Sequence, residues 1–292
     1  MKYDSLRALA ERAAEANVTI GELVIRDQME ESGGTYEEVY ERMAHSLQVM
    51  KESVIAGMER NVRSASGLTG GDAWKMSQRI GNNLMGDTFI CAMTRAIAVS
   101  ETNACMGRIV AAPTAGSCGI LPACLLTIIE DCAGDEDAAV KALFTASAVG
   151  MVIARNATVA GAEGGCQAEC GAASAMAASA ITEMCGGTPR LVENACAIAL
   201  KNVLGLVCDP VAGLVEIPCI KRNVMGTANP LAAEEMALAG IDSKIPADEV
   251  IWAMKKVGDS MHTDLKETAR GGLAATPTGR RLTEQVFGKV ED

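Results

Sequence analysis

The sequence predicts a mainly α fold, a single helical domain whose helices are interrupted by Gly/Pro-rich loops. Three observations predict it. Ala, Gly, Met and Leu supply most of the 49% hydrophobic residues while aromatics are 3%, which favours close-packed helices over sheets of aromatic and β-branched residues. Apolar residues recur at three- and four-residue spacing behind helix-capping residues. No low-complexity linker or fixed-period repeat divides the 292 residues, a length that buries an ample core. Residues 1–60 read as an N-terminal helical segment and 61–292 as the remaining core.

Thr35 and Glu38 form a capping-box pattern. Behind them Val39, Met43, Leu47, Met50, Val54 and Met58 make one apolar stripe on a long helix. His45 lies off the stripe and is expected at the solvated surface. A Gly-rich break, Ser64 to Asp72, follows. The next helix is expected from about Asp87, as N-cap, to Cys105, with Gly107 beyond its end. A second break, Ala112 to Gly119, leads to a helix with Pro122 in its first turn, running to about Cys132. Asp135 caps a helix of roughly 18 residues. The third break, Gly161 to Gly165, opens on a helix of tiny residues, Gly171 to Ala180, that permits close packing or leaves room for a bulky group. Thr188 and Pro189 read as N-cap and N1 of a helix ending near Gly205. The fourth break, Cys208 to Cys219, has room for a short extended piece. Helix is then expected up to Thr263–Arg270, and Gly271-Gly272 opens a polar tail.

A net charge of −11 and a pI near 4.8, with few aromatics, exclude the basic, stacking surface of a nucleic-acid binder. The longest apolar stretch, Ala142 to Ala154, is too short to span a bilayer, and Met1-Lys2-Tyr3-Asp4 is not followed by a signal-peptide core, so no membrane partner and a cytoplasmic location are expected. Eleven cysteines, an odd number without an export signal, argue for metal or redox chemistry over a disulfide framework. Only two histidines, His45 and His262, leave little for His-rich zinc sites or a Ser-His-Asp triad; His262 lies far from every motif. Cys91, Cys105, Cys124, Cys132, Cys185 and Cys196 fall in or near apolar helices and read as core thiols. Cys166, Cys208 and Cys219 sit in the breaks, where irregular backbone can aim thiolates at one point and offer N–H donors to a cluster. Cys118 and Cys170 are ambiguous by this criterion. No C-x-x-C pair occurs, so spacing alone indicates neither a ferredoxin run nor a zinc ribbon. Gly67–Gly71 and Thr114–Gly119 suit either the grip of a small anion on backbone N–H groups or plain helix connectors.

At these loops the sequence closely resembles the alpha chain of the iron–sulfur L-serine dehydratases. The matching segments are Ser66-Gly67-Leu68-Thr69-Gly70-Gly71-Asp72, Ala112-Pro113-Thr114-Ala115-Gly116-Ser117, and the run from Gly161 to Glu169. Further on come the run from Gly205 to Val215, Pro218-Cys219-Ile220-Lys221-Arg222-Asn223, and Gly271-Gly272-Leu273-Ala274. They span nearly the whole chain in the family's order.

The resemblance implies a single serine dehydratase catalytic domain, with 61–292 as its cluster- and substrate-binding core. It implies an L-serine ammonia-lyase of amino-acid degradation, giving pyruvate for gluconeogenesis, and ammonia. Cys166, Cys208 and Cys219 would ligate a [4Fe–4S] cluster, and no pyridoxal phosphate is needed. Three protein ligands leave one iron open as a Lewis acid toward the serine hydroxyl. Ser66, Gly67, Thr69, Gly70, Gly71, Thr114, Ala115, Gly116, Ser117, Arg222 and Asn223 are the expected substrate-binding residues. Lys221 is the candidate catalytic base, its other role being a charge that balances the cluster or binds the substrate carboxylate. Arg222 suits carboxylate through its planar fork, or a surface ion pair. Glu163 and Glu169 could take protons or be solvated. The resemblance also implies a beta subunit, in an alpha–beta complex or higher oligomer, able to contribute a histidine. Some single-chain relatives end in a cysteine that occupies the open iron; Val290-Glu291-Asp292 holds none. Alternatives are a cysteine desulfidase or other Fe–S amino-acid lyase, and a non-catalytic Fe–S protein.

Overall fold

A computed structural model of the chain describes residues 3–131 and 134–288. Helices α1 (Leu6–Glu15), α2 (Ile20–Ser32) and α3 (Tyr36–Gly57) open the fold, followed by the short α4 (Asp72–Ser77), then α5 (Asp87–Ala104) and α6 (Ile120–Asp131). The second half holds α7 (Glu136–Asn156), the single turn α8 (Gly161–Gly164), α9 (Ala172–Met184), α10 (Pro189–Lys201), α11 (Cys219–Leu238), α12 (Ala247–Ser260) and α13 (Pro277–Phe287). Among the described residues the only extended pairing is an isolated parallel bridge between Cys208 and Lys266.

Capping chemistry sets the boundaries. Thr35 and Glu38 form the reciprocal capping box of α3, Asp135 caps α7 and Thr188 caps α10 with Pro189 at N1. On α3 the expected stripe turns inward: Val39, Leu47 and Met50 are buried, with Met43 and Val54 packed against the core.

The tiny-residue helix α9 lies at the centre. Every residue from Ala172 to Thr182 is buried, with α6, α7, α10 and α11 packed around it. Its alanines let neighbouring backbones approach closely, so that Ser174 Oγ donates to the Gly226 carbonyl at 2.8 Å. Larger side chains on the surrounding helices, among them Leu125, Leu126, Phe144, Ile153 and Leu200, are almost fully buried, each stabilising the fold by about 1.5–3 kcal/mol. Helix α7 is 21 residues long and apolar enough to cross a membrane by length and composition, longer than the uncharged run alone indicates. The protein itself buries 67% of its most apolar window, as befits a core helix.

Several boundaries differ from expectation. Gly86, not Asp87, is the N-cap of α5, because the Asp87 carboxylate turns back to accept from Gly81 N (2.8 Å) and Asn83 Nδ2 (2.6 Å). A π turn, Gln167–Gly171, precedes α9, which runs on to Met184. Thr263–Arg270 is not helical beyond a 3-10 turn at Thr263–Leu265. Beyond that turn the chain bends through positive φ at Glu267 and Ala269, since Leu265 and Glu267 give their backbone groups to Cys208. The expected polar tail instead forms a second 3-10 turn, Gly272–Ala275, and helix α13, capped by Thr276. Cys124 and Cys196 are core thiols, whereas Cys91 and Cys105 are partly buried and Cys185 is exposed, because it caps the C-terminus of α9 at the surface. Cys132 and Val290–Asp292 lie outside the described residues.

Candidate active site

The breaks that carry Cys166, Cys208 and Cys219 converge. Gly165, at φ +77°, turns the chain out of α8 and into Cys166, which is 3% exposed. Cys208 is held by its backbone: its N–H donates to Leu265 O and its carbonyl accepts from Glu267 N, both at 2.8 Å. Cys219 is the first residue of α11, whose twenty-residue dipole and free N–H groups favour negative charge there. Cys170 joins them, its Sγ 3.4 Å from that of Cys166.

These thiols feel one another. Burial pushes the Cys219 thiol up to about 12, with charge on Cys166 and Glu169 adding to the rise and Arg222 opposing it. Burial likewise raises Cys208, helped by Glu169 and Cys166. Cys166 goes the other way, lowered chiefly by its bond to Cys170 and, against the cost of burial, by the Arg222 guanidinium. Burial also pushes Cys118 up to about 12; its thiol is directed at Val99 O, 4.0 Å away, inside the packing rather than toward the loop cysteines.

Glu169, 9% exposed, is the hub between the thiols and the second break. Its Oε1 accepts from Thr114 Oγ1 at 2.8 Å and its Oε2 lies 3.6 Å from Cys208 Sγ. Burial raises its carboxyl, and the Thr114 bond partly offsets that. Gly161 permits this contact: a Cβ there would stand 2.6 Å from Glu169 Oε2 and 3.0 Å from Cys208 Sγ. Asn223 is buried and binds only backbone in this structure. It donates to Gly116 O (2.8 Å) and Cys219 O (2.9 Å) and accepts from Gly119 N (2.9 Å), so it ties the Thr114–Gly119 loop to α11. Thr114 Oγ1 lies 3.3 Å from Ser117 Oγ, Ser117 being fully buried and Ala115 partly so.

Arg222 braces the fourth break. Nη1 donates to Val207 O and Nη2 to Asp209, both at 2.7 Å, and Asp209 also accepts from Leu273 N at 2.7 Å. Val207–Asp209, α11 and the Gly271–Leu273 loop are thereby locked together around Cys208. The Ser66–Gly71 loop is fixed from beneath. Ser64 Oγ contacts Ser66 Oγ at 3.1 Å and accepts from Thr69 N at 3.2 Å, and Thr69 Oγ1 donates to the buried Glu216 at 2.6 Å. Gly70, at φ +134°, brings the chain so close to Val62 that a Cβ would lie 2.2 Å from its carbonyl oxygen. The fully buried Glu101 accepts from Asp72 N (2.8 Å) and Ala73 N (3.2 Å). Lys221, 62% exposed, pairs with Asp72 at 2.6 Å. Burial alone would raise the Asp72 carboxyl, but bonds to Lys221 and Lys75 bring it below its usual range.

Glu163 is exposed and accepts from Thr158 Oγ1 at 2.6 Å. Both histidines are exposed, His45 against Arg108 Nη2 at 2.8 Å. Sequence reasoning missed Glu101, Glu216, Asp209 and the Leu265–Glu267 bridge, whose partners are distant in the chain. The Gly271–Gly272 match was the available sign that the C-terminal region reaches the site.

Among the described residues no three His, Cys, Asp or Glu side chains close on a point as a single metal ion requires. The all-thiol donor set, drawn from the third break and from the two ends of the fourth, beside a helix N-terminus and a guanidinium, fits a larger anionic iron–sulfur group. The large cleft of about 990 Å³ between α5 and α11, lined by Phe89, Ile128 and Met225, lies apart from these cysteines.

The profile of the family described as serine dehydratase alpha chain matches residues 15–274. The chain belongs to this family. Among serine dehydratase relatives, the probable L-serine dehydratase alpha chain of Bacillus subtilis (strain 168) is 50% identical over 288 residues, covering 98% of this chain and 96% of the relative. The L-serine dehydratase alpha chain of Peptoniphilus asaccharolyticus is 42% identical over 281 residues, 96% of each chain. The L-serine dehydratase of Streptomyces coelicolor is 41% identical over 273 residues, which cover 90% of this chain and 58% of that longer serine dehydratase.

Proposed function

We propose that this chain is the catalytic alpha subunit of an L-serine dehydratase, a cytoplasmic lyase that converts L-serine to pyruvate and ammonia without pyridoxal phosphate. In this reading Cys166, Cys208 and Cys219 hold a [4Fe–4S] cluster. The observation that carries it is the meeting of three loop thiols beside Arg222 and the start of α11, in a chain whose relatives bear the serine dehydratase name. When bound, the cluster supplies an iron without a protein ligand, a Lewis acid suited to a departing hydroxide.

The chain's own residues supply binding and proton handling. Ser66, Gly67, Thr69, Gly70 and Gly71 form one donor-rich loop, and Thr114, Ala115, Gly116 and Ser117 the other; hydroxyls and N–H groups of both are assigned to the substrate carboxylate and amine. Glu216 and Asn223 hold these loops against α11. Arg222 contributes positive charge while bracing Asp209. Lys221 is the candidate for the Cα proton; it must part from Asp72 and give up one proton, for which Asp72 is the acceptor at hand, before its amine can take another. A beta subunit completes the enzyme in this reading, in an alpha–beta complex that supplies groups this chain lacks.

Anaerobic purification with iron and sulfide quantitation, followed by assays of pyruvate, 2-oxobutyrate and sulfide from serine, threonine and cysteine, tests the proposal. Brown protein that forms pyruvate from serine together with the beta subunit is expected. Sulfide from cysteine without serine turnover would make it a desulfidase. A cluster whose spectrum ignores serine would make it a non-catalytic iron–sulfur protein.

A further inference from the structure

Cys170 is the one thiol at the site to which the reading above gives no task. It is 1% exposed and lies in the π turn Gln167–Gly171, four residues after Cys166 and on the same face of the helical backbone. Its sulfur stands 3.4 Å from that of Cys166, within hydrogen-bond reach for sulfur. A cysteine that ligates iron does so as thiolate and has no proton to give, so in that contact Cys170 must be the donor. The Arg222 guanidinium is already engaged by Val207 and Asp209, and burial keeps bulk water from replacing the thiol. A π turn inserted at a functional site is a recurrent way of aiming one extra side chain.

We propose that Cys170 is a positioning residue whose thiol donates an S–H···S hydrogen bond to the ligating Cys166 sulfur, and that it is not itself a ligand. The inference rests on the assignment of Cys166 to the cluster. Hydrogen bonds to cluster sulfurs tune the reduction potential. The S–H donor draws charge from the cluster, stabilises the reduced form and fixes the direction from which Cys166 approaches its iron.

The test begins with iron and sulfide content of the anaerobically purified full-length chain; iron-free wild type refutes the cluster assignment and this inference with it. With the cluster present, Cys170→Ala is expected to retain its iron and shift the midpoint potential to a more negative value. Cys170→Ser, whose hydroxyl is again a donor, is expected to restore most of that shift. Exchange of wild type into D2O moves the Fe–S(Cys) stretching bands in resonance Raman spectra, and the isotope effect diminishes in Cys170→Ala. Should the alanine variant not fold, Cys170→Val gives a second non-donor, and an absent isotope effect in wild type overturns the inference by itself. A potential and isotope effect unchanged in the non-donor variants overturn it while the cluster assignment stands. Iron lost from Cys170→Ala but kept by Cys166→Ala makes Cys170 the ligand and overturns both the inference and the assignment of Cys166 to the cluster.

Discussion

Removal of the Arg222 fork gives the sharpest test of how the site is held together. Arg222 joins α11 to the Cys208 segment through Val207 O and Asp209, and the Asp209 carboxylate is only 4% exposed. Arg222→Met keeps much of the side-chain volume but strands that carboxylate with the Leu273 N–H as its remaining bond. Breaking a buried pair from one side costs about 3–5 kcal/mol; with the Leu273 bond retained, about 3 kcal/mol is expected. At roughly 2–4 °C per kcal/mol, Tm falls by about 6–12 °C. Denaturant unfolding of the cluster-free chain under anaerobic conditions measures it. Asp209→Asn removes the stranded charge, so the double variant should recover about 1 kcal/mol or more relative to additivity. Arg222→Met within about 0.5 kcal/mol of wild type, or strict additivity in the double variant, would refute the bracing role.

Further outcomes follow from the same geometry together with the proposed cluster assignment. Gly161→Ala forces a Cβ against Glu169 and Cys208, so iron content should fall severalfold with helix content unchanged by circular dichroism. Cys166→Ala, Cys208→Ala and Cys219→Ala should each lose the brown chromophore, while Cys118→Ala, directed into the packing, should keep it. Thr69→Val breaks the bond to Glu216; KM for serine should rise about tenfold, near 1.4 kcal/mol, with iron content unaltered. Burial raises the Glu183 carboxyl against the bonds from Thr145, Gly21 and Ile20. The folded chain therefore holds that proton to a higher pH than the unfolded one, whose value is about 4.3. Its contribution is complete below that point and is lost as pH rises through the folded value. Wild type should lose more stability than Glu183→Gln between pH 4 and 7 in urea titrations.

Much of the fold was legible because its signals are local. Thr35 with Glu38, Asp135, and Thr188 with Pro189 each announce a helix start within four residues, and the spacing from Val39 to Met58 reveals the inward face of α3. The interruptions of the helices at which Cys166, Cys208 and Cys219 lie were legible for the same reason, since Gly and Pro mark irregular backbone, although Cys219 itself opens α11. What stayed hidden depends on partners far along the chain. Asp87 reads as a cap until Gly81 and Asn83 claim its carboxylate. Cys185 reads as core because its helix is apolar, although it falls one residue past the helix end and three past the last buried residue, Thr182. Glu101 and Glu216 look like ordinary acidic residues, and only tertiary contact turns them into anchors for Ser66–Asp72. Cys170 stays ambiguous between core and loop because a π turn leaves no pattern in the sequence.

The bridge between Cys208 and the Leu265–Glu267 backbone sets an order of events during biosynthesis. A nascent polypeptide still lacking that stretch presents the thiol on an unpaired segment, without its carbonyl and N–H partners, and Asp209 still awaits Leu273. In the proposed iron–sulfur reading, cluster loading belongs after that stretch and Leu273 have been translated, and stalled ribosomal products that stop short of residue 265 should emerge colourless.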